Sequence, residues 1–193
     1  MRKLINYFII AAVAISTIAF IGNKKATSDF DIEKAEFIEY FEDAKSYTIE
    51  LAEAMPADKY TFKPHDSVRS FGEQLAHVAM SSKFLTDIFI KGEPMPAPEM
   101  FAKIAQMEKE MGADKEKCIA TLNENMKYVK ETYKGMSEEQ LNETFKVPFD
   151  PNQPEFSKKR GFDFIKDHLI HHRGQALVGL RMQNIKAPNY RLY

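Results

Sequence analysis

His168 and His172 stand four positions apart in the run DHLIHHRGQALVGLR, and His77 stands alone in SFGEQLAHVAMSSKF, about ninety residues earlier. On an α-helix, residues i and i+4 project from the same face, one turn apart. Two imidazoles placed that way can share one divalent ion, and a third from another helix would supply a third corner of a tetrahedron. Three nitrogen donors leave at least one position for water or substrate, as catalytic sites do and structural sites do not. Imidazole donors suit zinc, nickel, copper or iron(II). Zinc is the expected ion, with nickel second.

Spacing alone does not establish a site. A single histidine on an apolar face is more often a hydrogen-bonded core residue than a ligand, and i,i+4 pairs also occur on solvated faces. The conjunction is what points to a metal. A buried imidazole without a partner costs about 1–3 kcal/mol, and a shared ion removes that cost for the ligating nitrogens.

The elements that must position these rings are helical. Ile32, Ala35, Ile38, Phe41, Ala44, Thr48, Leu51 and Met55 follow steps of three and four, the period of an amphipathic helix. Asp29 or Asp31 can cap its start, and Pro56 marks its stop. A second helix is predicted after the turn-like FKPHDSVRS, with Phe71, Leu75, Val78, Ser82, Leu85 and Phe89 on one face and an end at Lys91-Gly92. The stretch GEPMPAPEM, with three prolines, reads as a loop. A third helix is predicted from Ala113 to Tyr133, with Ile119, Leu122, Met126, Val129 and Tyr133 inward. Ser137-Glu138-Glu139 reads as a short capped turn, and residues 142–160, with Pro148, Pro151 and Pro154, as an irregular connection. The last helix is predicted from Gly161 to Ile185, with Ile165, Leu169, Ala176 and Leu180 inward and His168 and His172 flanking them. Four such helices make an all-α four-helix bundle, whose interior is a common place for metal sites.

With 193 residues, the chain suffices for one domain with a sizeable core. Hydrophobic residues make up 44% and charged residues 28%, ordinary for a globular protein. The formal net charge of −1 offers no basic field for nucleic acid, and the aromatic residues do not interleave with cations as a stacking platform would. Nucleic acid is therefore not an expected partner, and Lys158-Lys159-Arg160 reads as a solvated helix start. The one cysteine, Cys118, excludes an internal disulfide and a cysteine-rich metal site, and is expected to be buried and inert.

The first residues stand apart. Arg2 and Lys3 precede the apolar run FIIAAVAISTIAFIG, and Asn23, Lys24 and Lys25 follow it. Residues 1–25 read as a secretory signal or, since Leu4 to Ile21 nearly reaches the ~20 residues of a span, as an N-terminal membrane anchor. Either places the folded part, residues 29–193, outside the cytoplasm. Without the first 22 residues, which hold two cations and no anion, the formal charge is −3.

The segments YTFKPHDSVRSFGEQLAHVAM and HLIHHRGQALVGLRMQNIKAPNY resemble the DinB-like (YfiT-type) family of metal-binding four-helix bundles. Phe62 and Pro64 match its Phe-x-Pro stretch, and Arg69, Ser70, Gly72 and Glu73 its Arg-Ser-x-Gly-Glu turn. His77 matches its second-helix histidine, and His168, His171, His172, Arg173, Gly174 and Gln175 its last-helix motif. The resemblance spans residues 31–190 and is weak in the third helix and the long loops. It implies that His77, His168 and His172 are the ligands of one divalent ion. Asn184 stands where the family has a glycine near the end of the last helix, which bears on the chain reversal there. The resemblance also allows a homodimer.

Around the three rings, His171 points about 100° away from His172 on the helix and reads as a supporting residue. Gly174 would admit a close helix approach. Arg173 is by default a surface arginine, although it and Gln175 could orient a ligand or an anion. Glu73 and Gln74 precede His77 by four and three positions, so either could reach an imidazole N–H. Glu73 is the one carboxylate expected near the site, as a general base or as a partner of the helix dipole. His65, between Pro64 and Asp66, could approach the site mouth.

Two functions follow. One, implied by the resemblance, is a metal-dependent hydrolase or thiol-type transferase acting on a small molecule through the open coordination position. The other is a non-catalytic extracytoplasmic protein that binds a metal or small ligand.

Overall fold

A computed structural model describes residues 28–192. The apolar signal-or-anchor segment lies outside the described residues. Among the described residues no helix is long and apolar enough to cross a membrane. The chain divides into Met1–Ile32 and Glu33–Tyr193. Of the first unit, residues 28–32 are described: they open helix α1 (Asp29–Ala54), where Ser28 and Asp31 bond reciprocally, Asp31 N–H to Ser28 Oγ at 3.1 Å and Ser28 Oγ to Asp31 Oδ2 at 2.8 Å.

The second unit is built on α1, α2 (Phe71–Leu85), α4 (Lys115–Gly135) and α6 (Lys158–Met182), joined by α3 (Met100–Gly112) and the short α5 (Glu138–Asn142). The expected bundle is present, with α2 packed against α3, α4 and α6. Helix α1 meets α4 and α6 through larger side chains: the Phe37 ring lies 4.0 Å from Tyr133 and 6.1 Å from Phe162. Phe41, Leu75, Leu122, Met126, Phe162 and Leu169 are fully buried, each worth about 1.5–3 kcal/mol relative to exposure. The inward stripes of α2 and α6 run as their spacing predicts. In α1, Phe37 is buried while Ile32 is 47% exposed, and in α4 Cys118 takes the inner position beside Ile119.

Three departures from the sequence expectation matter. The chain after the proline-rich loop, to which the sequence pattern assigned no element, forms α3, closed at Gly112. The connection 142–160 contains an antiparallel pair, β1 (Thr144–Lys146) and β2 (Glu155–Ser157), which seats Phe145 4.7 Å from Phe89. Helix α6 begins at Lys158 instead of Gly161, because Ser157 caps it by accepting from Arg160 N–H at 3.2 Å.

Other ends follow their local chemistry. Ser137 and Gln140 form the capping box of α5. After α2 a π-helical stretch, Thr86–Ile90, leads to Gly92, whose φ of +72° ends the segment at no steric cost. Asn184 has φ of +58°, and Ile185 N–H reaches Leu180 C=O at 3.3 Å. Asparagine is the commonest substitute for glycine in this left-handed closure, so the reversal after α6 survives.

Candidate metal centre

The site starts from the beginning of α2, where a helix has orphan N–H groups. Here the preceding loop supplies the acceptors. Phe71 N–H reaches Phe62 C=O at 2.9 Å and Gly72 N–H reaches Tyr60 C=O at 2.8 Å. Ser70 and Glu73 complete a capping box, Glu73 N–H to Ser70 Oγ at 3.1 Å and Ser70 N–H to Glu73 Oε2 at 2.7 Å. Glu73 is thereby committed to the helix start and to Lys63, 3.3 Å away. Burial opposes ionisation of Glu73, but these hydrogen bonds outweigh it and lower its pKa. Of its two expected roles, the one at the helix start is met and the general base beside the imidazoles is not.

From this anchored start, α2 projects Gln74, His77 and Ser81 towards α6, which presents His168 and His172. The ring centroids of His77, His168 and His172 lie 4.4–5.1 Å apart. One ligand atom from each lies within 4.8 Å of those of the other two, a set able to hold a metal ion. Ligands at 2.0–2.1 Å around tetrahedral zinc stand roughly 3.3 Å apart, so side-chain adjustments of about an ångström would close the set.

Each ring has its Nδ1 held by a different protein group. His77 Nδ1–H donates to Glu108 Oε2 at 2.7 Å, His168 Nδ1–H to Ser81 Oγ at 3.3 Å, and His172 Nδ1–H to Gln74 Oε1 at 2.8 Å. The Ser81 hydroxyl in turn donates to Val78 C=O at 3.3 Å. With all three Nδ1 atoms occupied, the Nε2 lone pairs are the ones available to a cation. This is the support that metal-ligating histidines ordinarily carry.

The Gln74 interaction continues outward. Gln74 Nε2 donates to Gln175 Oε1 at 2.7 Å, and Gln175 Nε2 donates to His171 Nε2 at 2.7 Å. With the amides in this sense, Gln74 presents its oxygen to His172 and selects the tautomer protonated on Nδ1. His171 is exposed and stands outside the cluster, as its offset on the helix predicts.

The electrostatics agree. Burial first, then His77, His171 and Arg69, lowers the pKa of His168 to about 4. Burial, then the other imidazoles and Arg69, lowers that of His172 to about 3. Both rings are neutral at pH 7, the form that binds metal.

Glu108, on α3, is the residue that the sequence reading missed. Its Oε1 accepts from Arg69 Nε at 2.5 Å while Oε2 holds His77. Burial would raise its pKa, but His77 and Arg69 outweigh that and hold it below the ordinary value. The available signal was the spacing of Phe101, Ile104, Met107 and Met111 before Gly112, a helical period obscured by the prolines upstream. Ser81, one turn beyond His77 on the same face, was also legible. Glu108→Ala is expected to weaken metal affinity by about 10–100-fold, the usual effect of losing a supporting carboxylate, with stoichiometry retained; calorimetric titration with zinc checks both.

Other residues fall elsewhere. His65 is exposed and bonds Ser67 Oγ at 2.8 Å. Arg173 is buried, 6% exposed, with its guanidinium over the Tyr47 ring at 4.6 Å, contrary to the surface role expected of it. Gly174 has open space where a Cβ would stand, so no helix approaches it. The close approach occurs at Gly72 and Gly112 instead. Cys118 is buried as expected, and burial pushes its thiol up to about 12.

The model of the DinB superfamily matches residues 40–176, and the chain belongs to that superfamily. Among solved structures it is similar to a DinB-like protein from Bacillus subtilis, with 21% identity and a TM-score of 0.53, covering 82% of this chain and 99% of that one. A DinB-like protein from Bacillus cereus aligns with 11% identity and a TM-score of 0.63, covering 80% and 95%. YfiT from Bacillus subtilis, described as a probable metal-dependent hydrolase with an unusual four-helix bundle topology, aligns with 14% identity and a TM-score of 0.63, covering 84% and 93%. At these identities the likeness shows the fold. No curated protein matches the chain.

Proposed function

We propose that this protein is a metal-dependent hydrolase of small molecules, with His77, His168 and His172 binding one divalent ion through their Nε2 atoms. Zinc is the first choice and nickel the second. The observation that carries the reading is the convergence of three imidazoles whose Nδ1 atoms are each held by a separate side chain. The similarity to YfiT supports hydrolysis over other chemistry. Arg2, Lys3 and the apolar run after them support action outside the cytoplasm, where low-molecular-weight thiols are scarcer, which weighs against a thiol-type transferase.

A divalent ion held there would supply Lewis acidity to a polarised bond. The chain's own residues orient the site: Glu108 and Gln74 fix the tautomers of His77 and His172, Ser81 holds the His168 ring, and α3 shields His77 from one side. Arg69, anchored to Glu108 through Nε, brings a positive charge that is felt at His168 and His172.

One observation favours a second reading. Both oxygens of Glu108 are engaged, and Glu73 is spent on the helix cap, so neither carboxylate stands ready as a general base. A non-catalytic metal- or ligand-binding bundle would look the same. Zinc titration followed by a screen of ester, amide and thiol-transfer substrates separates the readings. Binding of one zinc per chain with zinc-dependent ester or amide cleavage is expected. Zinc binding with uniform silence would establish the binder, and failure to bind zinc or nickel would remove the hydrolase and leave only a small-ligand binder without metal.

A further inference from the structure

Beside His77, α2 and α3 line a half-open cavity of about 270 Å³. Met80, Phe84, Phe101 and Ile104 form its apolar wall, and His77, Ser81 and Glu108 complete it. The polar groups in that wall are already engaged with one another. His77 Nδ1 and both Glu108 oxygens are used in the Arg69–Glu108–His77 chain, and Ser81 Oγ holds His168 and Val78. What the wall offers a ligand is therefore hydrocarbon, thioether and aromatic surface, with His77 shared between cavity and metal centre. A polar substituent placed there would lose its hydration without recovering hydrogen bonds, whereas an apolar one gains from leaving water.

From this we infer that the cavity receives a compact apolar group of the substrate, an alkyl, acyl or single-ring aryl substituent, whose polar end lies at the three imidazoles. The placement of the polar end rests on the metal-binding reading; the apolar specificity of the cavity does not. The implied substrate class is an ester, amide or related compound carrying a short hydrophobic moiety. The four apolar wall residues are then specificity determinants contributed by two helices, and α3 serves the site through Ile104 and Phe101 as well as through Glu108.

The test uses the full chain in two arms. In the zinc-loaded protein, aceto-, butyro- and hexanohydroxamate are titrated calorimetrically. Affinity is expected to rise roughly fourfold per added methylene until the cavity is filled. Ile104→Trp, which occupies the space, is expected to flatten the series. In the metal-free protein, 1-hexanol is titrated while the ¹³C-methyl signals of Met80 and Ile104 are followed, and both are expected to shift saturably. Equal affinities for the three hydroxamates, or unmoved methyl signals, would overturn the inference. Methyl shifts in a protein that takes up no zinc would uphold the apolar cavity and refute the metal-binding reading, whereas zinc uptake without hydroxamate binding would overturn the inference.

Discussion

His172→Ala is expected to abolish zinc binding. The unaltered chain should take up one zinc per molecule, and the variant should lose more affinity than the roughly 10–100-fold that loss of a supporting partner costs. The reason is geometric. His172 is the most enclosed of the three rings, with centroids 4.4 Å from His77 and 4.5 Å from His168, so its removal deletes a donor that no neighbour can replace. Gln175 and Gln74 stand behind it, but an amide nitrogen is not a ligand and Gln74 Oε1 points at the vacated Nδ1 position. A thermal readout sharpens the test. Zinc at a hundred times its dissociation constant should stabilise the unaltered protein by about 2.7 kcal/mol, and that gain should vanish in the variant. His171→Ala is the control: it removes the outer end of the glutamine relay, so zinc stoichiometry should stay at one.

Gly72→Ala is expected to cost about 3 kcal/mol of stability, at or above the upper end for overpacking, and to weaken zinc binding as well. A Cβ on Gly72 would overlap the carbonyl oxygen of Gly112, and one on Gly112 would stand 2.6 Å from Glu73 N. The two helices thus meet backbone to backbone where α3 ends and α2 begins. That contact sets the position of Glu108, one turn before Gly112, against His77, just over one turn after Gly72. Forcing the backbones apart should draw Glu108 away from His77 Nδ1 and free the ring to turn. Urea denaturation measures the stability loss, and zinc titration the second effect. Gly174→Ala provides the contrast, since its Cβ meets nothing. A mid-helix glycine replaced there should gain about 1 kcal/mol. A neutral Gly72→Ala would mean that the crossing is not as close as described.

The helical periods and capping signals were sufficient to foresee the bundle and the inward faces of α2 and α6, while the meeting of the three imidazoles was suggested by the histidine spacing and implied as a ligand set only through the family resemblance. Those features are local or periodic: a 3.6-residue repeat says which side of a helix is buried, and i,i+4 spacing places His168 beside His172 whatever surrounds them. Partnership between helices is not written in that way. Glu108 pairs with His77 across 31 positions, and no local pattern distinguishes it from a solvated side chain; spacing put Gln74 within reach of an imidazole but did not say that the ring would be that of His172, 98 positions away. Likewise, Gly72 and Gly112 look like ordinary helix-end glycines until two backbones are seen to touch, while Gly174 looks like a packing site and faces open space. Residue types and their spacing determined which groups could bind a metal. Only the tertiary structure decided which nitrogens remain available to it, because that depends on which side chains from distant helices claim the others.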